Sequence, residues 1–392
     1  MEGSGDVRRG PVGRSVGRSR AACRQRSVRR LLGVTATAAA SLAASAAVAV
    51  PAASALPLGC SQVKKKVACP KVSYKFQTLN DAADRTFNQL LGINQSGVIA
   101  GYFGSGAAGH PNQGYLLFPN YTQNYYASNN FPGSVQTQAT GINDLGVLVG
   151  FYSSMNNANM VNDNHGWYKL NGQFFNADFP NPSPASPVVD QLLGVNDKDV
   201  AVGFFTDAAG VNHGYSFNIA THQFSEISVP GITSPTAAAI NNNGDIAGFG
   251  TAGGATVAFL LTHAGKVDVI KYPNASSTQA LGVNNNDEVV GVATIGSGST
   301  AKMNGFTYYP GYGFKTINAP AGVGTTTING VNSCGDLVGF YVDGAGNTDG
   351  LLANAQFSST ATTSSAVTAE AGKKKKTKPK KKTIKTVLPK GC

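Results

Sequence analysis

Five residues before each of six regularly spaced asparagines stands a side chain that hydrogen-bonds without carrying charge: Gln89, Gln138, Gln191, Thr236, Gln279 and Thr327. Amides and hydroxyls are the groups that recognise sugars or short peptides, so a ring of them is read as a candidate ligand-binding set. The competing reading is that they satisfy backbone groups of neighbouring units or hold water. Asp190, beside Gln191, is the one acidic residue that the register brings next to this set. General acid–base chemistry normally needs two positioned groups, and one is found.

Other chemistry-bearing residues point less far. No H-E-x-x-H or C-x-x-C spacing occurs. Gly104-Ser105-Gly106-Ala107-Ala108-Gly109 spells a dinucleotide fingerprint. That motif needs a following helix to receive phosphate, and Tyr115 to Phe118 reads as a strand. His165 and His213 occupy equivalent places in adjacent units and are read as hydrogen-bonded at strand starts, not as a shared metal site. Asp197 and Asp199, or Asp343, Asn347 and Asp349, have the oxygens for Ca²⁺, but solvated turn carboxylates account for them more simply. No metal and no cofactor is expected.

The elements that position these residues follow from a repeated phrase. Copies of it begin at Gly92 (GINQSGVIAGYF), Gly141, Gly194, Ala239, Gly282 and Gly330, and the third residue is always Asn: Asn94, Asn143, Asn196, Asn241, Asn284 and Asn332. Spacings of 49, 53, 45, 43 and 48 residues suit one propeller blade per copy. Asn at the first turn position and Gly three residues on are turn choices. An apolar run follows, then a Gly in every copy: Gly101, Gly150, Gly203, Gly248, Gly291 and Gly339. Glycine inside a strand costs about 0.5–1 kcal/mol relative to Ala, so a bulge or a close approach between blades must require it. Third strands open at Gly plus an aromatic, as in Gly114-Tyr115 and Gly166-Trp167, and fourth strands follow, as in Phe224 to Ile227.

Four strands in each of six units predict an all-β, six-bladed β-propeller; an open solenoid is the alternative. The sixth unit stops near Phe357 after three strands, while a spare strand, Phe76 to Leu79, precedes the first unit. Pairing the two would close the ring with an N-terminal strand.

The phrase G-I-N-x-x-G-x-I-V-G-F, with His165-Gly166-Trp167 and His213-Gly214-Tyr215, resembles the bacterial HAF-type extracellular repeat proteins over residues 72–357. The resemblance implies export and a propeller-like repeat domain, and brings no catalytic residue with it. Val257-Ala258-Phe259, where the His-Gly is missing, and the Lys-rich tail depart from the pattern.

Four segments result: 1–55, 56–71, 72–357 and 358–392. The first carries Arg29 and Arg30, an Ala-rich run from Leu31 to Val50 and Ala53-Ser54-Ala55, which reads as a signal peptide with an over-long start. Initiation at Val28 would leave an ordinary one; a twin-arginine signal and a lipidation box at Leu58-Gly59-Cys60 are weaker alternatives. The expected location is extracellular or at the cell envelope, with no transmembrane span. Residues 83–357 hold 7 Lys plus Arg against 16 Asp plus Glu, whereas residues 358–392 hold 10 Lys and one Glu. The acidic body thus has a basic, disordered tail. Lys373, Lys374, Lys375, Lys376, Lys378, Lys380, Lys381 and Lys382 are suited to polyanions, here anionic cell-wall polymers or lipid headgroups. Export and the acidic body argue against nucleic acid.

Cys60, Cys69, Cys334 and Cys392 remain after signal removal, and an even count in an exported chain predicts two disulfides. Strand direction places them on one face and favours Cys69 with Cys334 and Cys60 with Cys392. The alternative pairs Cys60 with Cys69 and Cys334 with Cys392. The sequence therefore predicts a monomeric binding module for a glycan or peptide. The alternatives are a propeller-based glycan hydrolase or lyase, and a structural surface protein.

Overall fold

A computed structural model describes residues 56–58, 60–63, 66–154 and 163–363. The proposed signal segment and the Lys-rich run, with Cys392, lie outside the described residues. Each repeat forms a four-stranded antiparallel sheet. In the first these strands are Asn88–Ile93, Ile99–Phe103, Gln113–Leu117 and Tyr126–Ser128. Among the described residues, helix is confined to two short 3₁₀ turns, Gln123–Tyr125 and Gly298–Thr300.

The repeated Asn builds both the turn and the link between units. Asn143 Oδ1 accepts the amides of Leu145 (3.0 Å) and Val147 (2.8 Å), closing its own turn. Its Nδ2 donates to the carbonyl of Asn196 in the next unit, at 2.9 Å. The same donation runs from Asn94 to Asn143, Asn196 to Asn241, Asn241 to Asn284 and Asn284 to Asn332. The same donation also runs from Asn332 to Asn94, at 3.4 Å. Backbone with positive φ three residues after the Asn (Gly146, φ 84°; Asp199, φ 55°) completes each turn.

The second glycine of the phrase is fixed by a β-bulge. In the third unit the register shifts between Leu192 and Gly194. That bulge turns the carbonyl of Gln191 toward Gly203, where an added Cβ would lie 1.9 Å from it. The first glycine answers to the neighbouring unit: a Cβ on Gly92 would meet Thr140 O at 2.9 Å and Gly141 Cα at 3.0 Å. Inner strands therefore approach one another closely around their common axis.

The final unit is Thr326–Val331, Leu337–Val342 and Thr348–Thr363, with Lys66–Thr78 as its outer strand, paired from Thr78 opposite Leu351 to Ala68 opposite Thr363. The third strand thus runs past Phe357, because the N-terminal strand that it pairs with begins earlier than Phe76. A short strand, Ser61–Val63, folds back on Lys66–Thr78. Apolar side chains fill the spaces between sheets. Leu90, Ile99 and Tyr115 of the first unit pack with Val338 and Leu352 of the sixth.

Candidate functional site

The inner strands leave little room on the axis. Two voids of about 80 Å³ each lie there, one lined by the Asn turns and one by the Gly and Ile residues before them. Each has room for only a few waters.

At the start of the inner strands the six predicted ligand-binding residues divide. Gln138 Nε2 donates to Asn112 Oδ1 at 2.7 Å, and Gln191 Nε2 to Asn164 Oδ1 at 2.8 Å. Thr236 Oγ1 accepts from Asn212 Nδ2 at 3.3 Å. All three partners stand two residues before the strand-opening Gly of the preceding unit. Thr236 and Thr327 are buried, and Thr327 Oγ1 has no hydrogen-bond partner. Gln89, Gln138, Gln191 and Gln279 are half-buried. Gln138 opens into a cleft of about 70 Å³ with Asn112, Gln136, Tyr152, Ser153 and Asn164. The Tyr152 ring that borders it is held by stacking on Phe131, with centroids 3.9 Å apart.

Asp190 is not at the channel mouth, where the sequence placed it. It is 2 % exposed, and accepts from Tyr215 Oη at 2.5 Å and from the Phe179 amide at 2.7 Å. Burial raises its pKa to about 7 against these two hydrogen bonds. Successive strand residues face opposite sides of a sheet, so Gln191 looks toward the opening while Asp190 looks into the packing.

His165 and His213 do not share a site. His165 lies between Asp178 (Nδ1 to Oδ2, 2.7 Å) and Asp163 (Nε2 to Oδ2, 3.1 Å). His213 lies between Asp207 and Glu226, at 3.0 Å from each. The Asp178 hydrogen bond, opposed by burial, raises the His165 pKa. Each histidine ties the loop before its strand to a carboxylate near the outer strand. Among the described residues no three His, Cys, Asp or Glu side chains converge as metal ligands. Asp343 Oδ1 accepts the amides of Ala345 and Asn347, and Asp197 Oδ1 accepts that of Asp144. Gly104, Gly106 and Gly109 belong to a loop, all with positive φ, that leads into the strand Gln113–Leu117.

Cys60 and Cys334 are both disulfide-bonded. Cys69 lies in the outer strand of the last unit, its backbone opposite Thr362. A second cavity, of about 300 Å³, is bounded by Cys60, Tyr74, Glu288, Tyr309 and Lys315. Sequence reasoning missed it. The available signal was an acid four residues after the turn Asn in the last three units, Asp245, Glu288 and Asp336, where the first three have Val98, Val147 and Val200.

No family model matches the chain, and no curated protein matches it. Solved structures do. TolB from Acinetobacter baumannii is 11 % identical with a TM-score of 0.44, over 66 % of this chain and 64 % of that one. AofleA from Arthrobotrys oligospora, an arginine-to-alanine mutant, is 11 % identical with a TM-score of 0.43, over 75 % and 90 %. The Aleuria aurantia lectin, described as a six-bladed β-propeller with a novel fucose recognition mode, is 11 % identical with a TM-score of 0.36, over 60 % and 81 %. The chain is an all-β, propeller-like protein. No residue role crosses from these proteins at such identities, and no described helix is long and apolar enough to span a membrane.

Proposed function

We propose that the chain is a six-bladed propeller closed by its N-terminal strand, exported to the cell envelope, that binds a glycan or short peptide without turning it over. The observation that carries this reading is a surface cleft, too small to enclose a ring, where the edge of a ligand would meet Gln138, Asn112, Gln136 and Asn164 beside Tyr152. Carboxamides offer donor and acceptor together, and an aromatic ring offers a face for apolar C–H groups. This is recognition chemistry, and none of the described residues that line the cleft is charged. Asp190, the acid that the sequence set beside Gln191, is buried against Tyr215 and does not line this cleft.

Under this reading the basic tail binds anionic wall polymers or lipid headgroups by counterion release, and the chain belongs with the HAF-type extracellular repeat proteins. A glycan and peptide array probed with the full chain tests the cleft. Replacing Gln89, Gln138, Gln191 and Gln279 together by Ala is expected to abolish array binding while the melting temperature stays within a few degrees. Undiminished binding would move the site elsewhere.

A further inference from the structure

At the cavity between the fifth and sixth units one residue breaks a pattern inside the chain. In the fourth unit Asp245 has a partner for each carboxylate oxygen: Oδ2 accepts from the turn Asn241, and Oδ1 accepts the amide of His263 at 2.8 Å. In the sixth unit Asp336 does the same with Asn332 and with the amide of Ala355 at 2.9 Å. His263 and Ala355 each stand four residues after the third-strand residue that faces the bulge glycine, Phe259 opposite Gly248 and Leu351 opposite Gly339. In the fifth unit, where Phe306 faces Gly291, the same position is Pro310. Proline has no amide proton.

Glu288 is accordingly left with an unspent oxygen. Its Oε2 accepts from Asn284 Nδ2 at 3.2 Å and from Tyr309 Oη at 2.8 Å. Among the described residues no hydrogen bond reaches Oε1. The residue is 4 % exposed, so what it faces is the 300 Å³ cavity, walled by Tyr74, Tyr309, Tyr312 and Phe314 with Leu58 and Val72. This oxygen is open to the cavity and not sealed in the packing, so a ligand hydroxyl can donate to it there.

Charge narrows the ligand class. Lys315 Nζ lies 4.6 Å from the Tyr74 ring centroid and donates to Val72 O at 2.7 Å. It already occupies the aromatic face that an organic cation would use, and it keeps donors to spare. Glu288 in turn disfavours an anion. A neutral molecule that donates to Glu288, accepts from Lys315 and lays a C–H face on the tyrosines satisfies every group present. We propose that this cavity is a carbohydrate site that takes one neutral pyranose ring. Its volume lies at the lower end of the roughly 300–1,000 Å³ typical of small-molecule sites, which suits a single ring better than a chain. The site lies at the opposite end of the inner strands from the Gln138 cleft and stands independently of it.

Saturation-transfer difference NMR on the full chain, with a panel of neutral methyl pyranosides as probes, tests the proposal. Glu288→Gln must keep its oxygen toward Asn284 and Tyr309, so its NH₂ faces the cavity and an acceptor becomes a donor. Val72→Phe fills the space instead. At least one pyranoside should bind the wild type and bind both variants at least tenfold more weakly. Saturation of no pyranoside, or equal saturation in wild type and Glu288→Gln, would overturn the site. Preferential binding of phenethylamine would overturn the carbohydrate class.

Discussion

Asn332 donates through Nδ2 to the backbone carbonyl of Asn94, 238 residues earlier in the chain, at 3.4 Å. This is the longest of six equivalent bonds, and each of the six asparagines also closes its own turn through Oδ1. Asn143→Ala therefore loses turn and inter-unit bonds at a buried position and is expected to cost about 2–3 kcal/mol, read from urea denaturation. Asn143→Asp keeps the turn acceptor but sets a carboxylate oxygen against the Asn196 carbonyl, so its own cost reads the lost link together with that repulsion, and the gap between the two variants reads the turn bonds. A cost below about 0.5 kcal/mol for both would remove the asparagines from the account of stability.

Gly203→Ala is expected to be far worse than a loop change. Its Cβ would meet Gln191 O at 1.9 Å, which forces the inner strand to move, and a loss above about 3 kcal/mol or failure to fold follows. Gly210→Ala has open space around its Cβ and should cost about 1 kcal/mol, from its positive φ alone. Similar melting temperatures for the two variants would mean that the bulge is not rigid.

The repeat phrase made the turns, the inner two strands and the requirement for the in-strand glycine legible, because each is dictated by neighbours within about twelve residues; the close approach that fixes the first glycine of the phrase was not legible. Three further features were not legible. Asp190 is adjacent to Gln191, but strand alternation turns it inward onto Tyr215, a contact that depends on the sheet and not on the period. Burial of Thr236 and Thr327, where four other units carry Gln, depends on how far each side chain reaches past the preceding unit's loop. The unspent oxygen of Glu288 depends on Pro310, which has meaning only once the three acids of the later units are compared in register.

Stability should fall as pH rises from about 4 to about 8. Asp190 and Glu288 have pKa values raised to about 7, and Asp287 one raised to about 6, with burial the main cause in each. Between the ordinary carboxylate range and these values the folded state holds protons that the unfolded state has released, so stability drops with pH. His165, whose pKa is raised by Asp178, adds stability that is fully present below the ordinary histidine pKa and is lost as pH rises through its folded value. Asp84, Asp207 and Asp343 are lowered, so they contribute stability that is fully present above the ordinary carboxylate pKa and is lost as pH falls through their folded values. A melting temperature about 5–10 °C lower at pH 8 than at pH 4.5 is expected, with Asp190→Asn flattening the profile. A profile that rises over this range would contradict the sign.

The hairpin register bears on the cysteines. Ser61 lies opposite Ala68, which brings the backbone of Cys60 next to that of Cys69. Of the two pairings open from the sequence, this favours Cys60 with Cys69 and Cys334 with Cys392 over Cys69 with Cys334 and Cys60 with Cys392. Non-reducing peptide mapping of exported protein should recover the Cys60–Cys69 peptide. A Cys69–Cys334 peptide would restore the other arrangement.

Binding without turnover is the central functional claim, and one experiment addresses both halves of it. A polysaccharide that binds the wild-type chain on the array is incubated with catalytic amounts of protein for a day. Retention on immobilised protein and release of new chain ends are then measured side by side for wild type and Gln138→Ala. The account predicts retention by the wild type, at least tenfold weaker retention by the variant, and no new chain ends from either. New reducing or unsaturated ends from the wild type, or equal retention by both proteins, would contradict it.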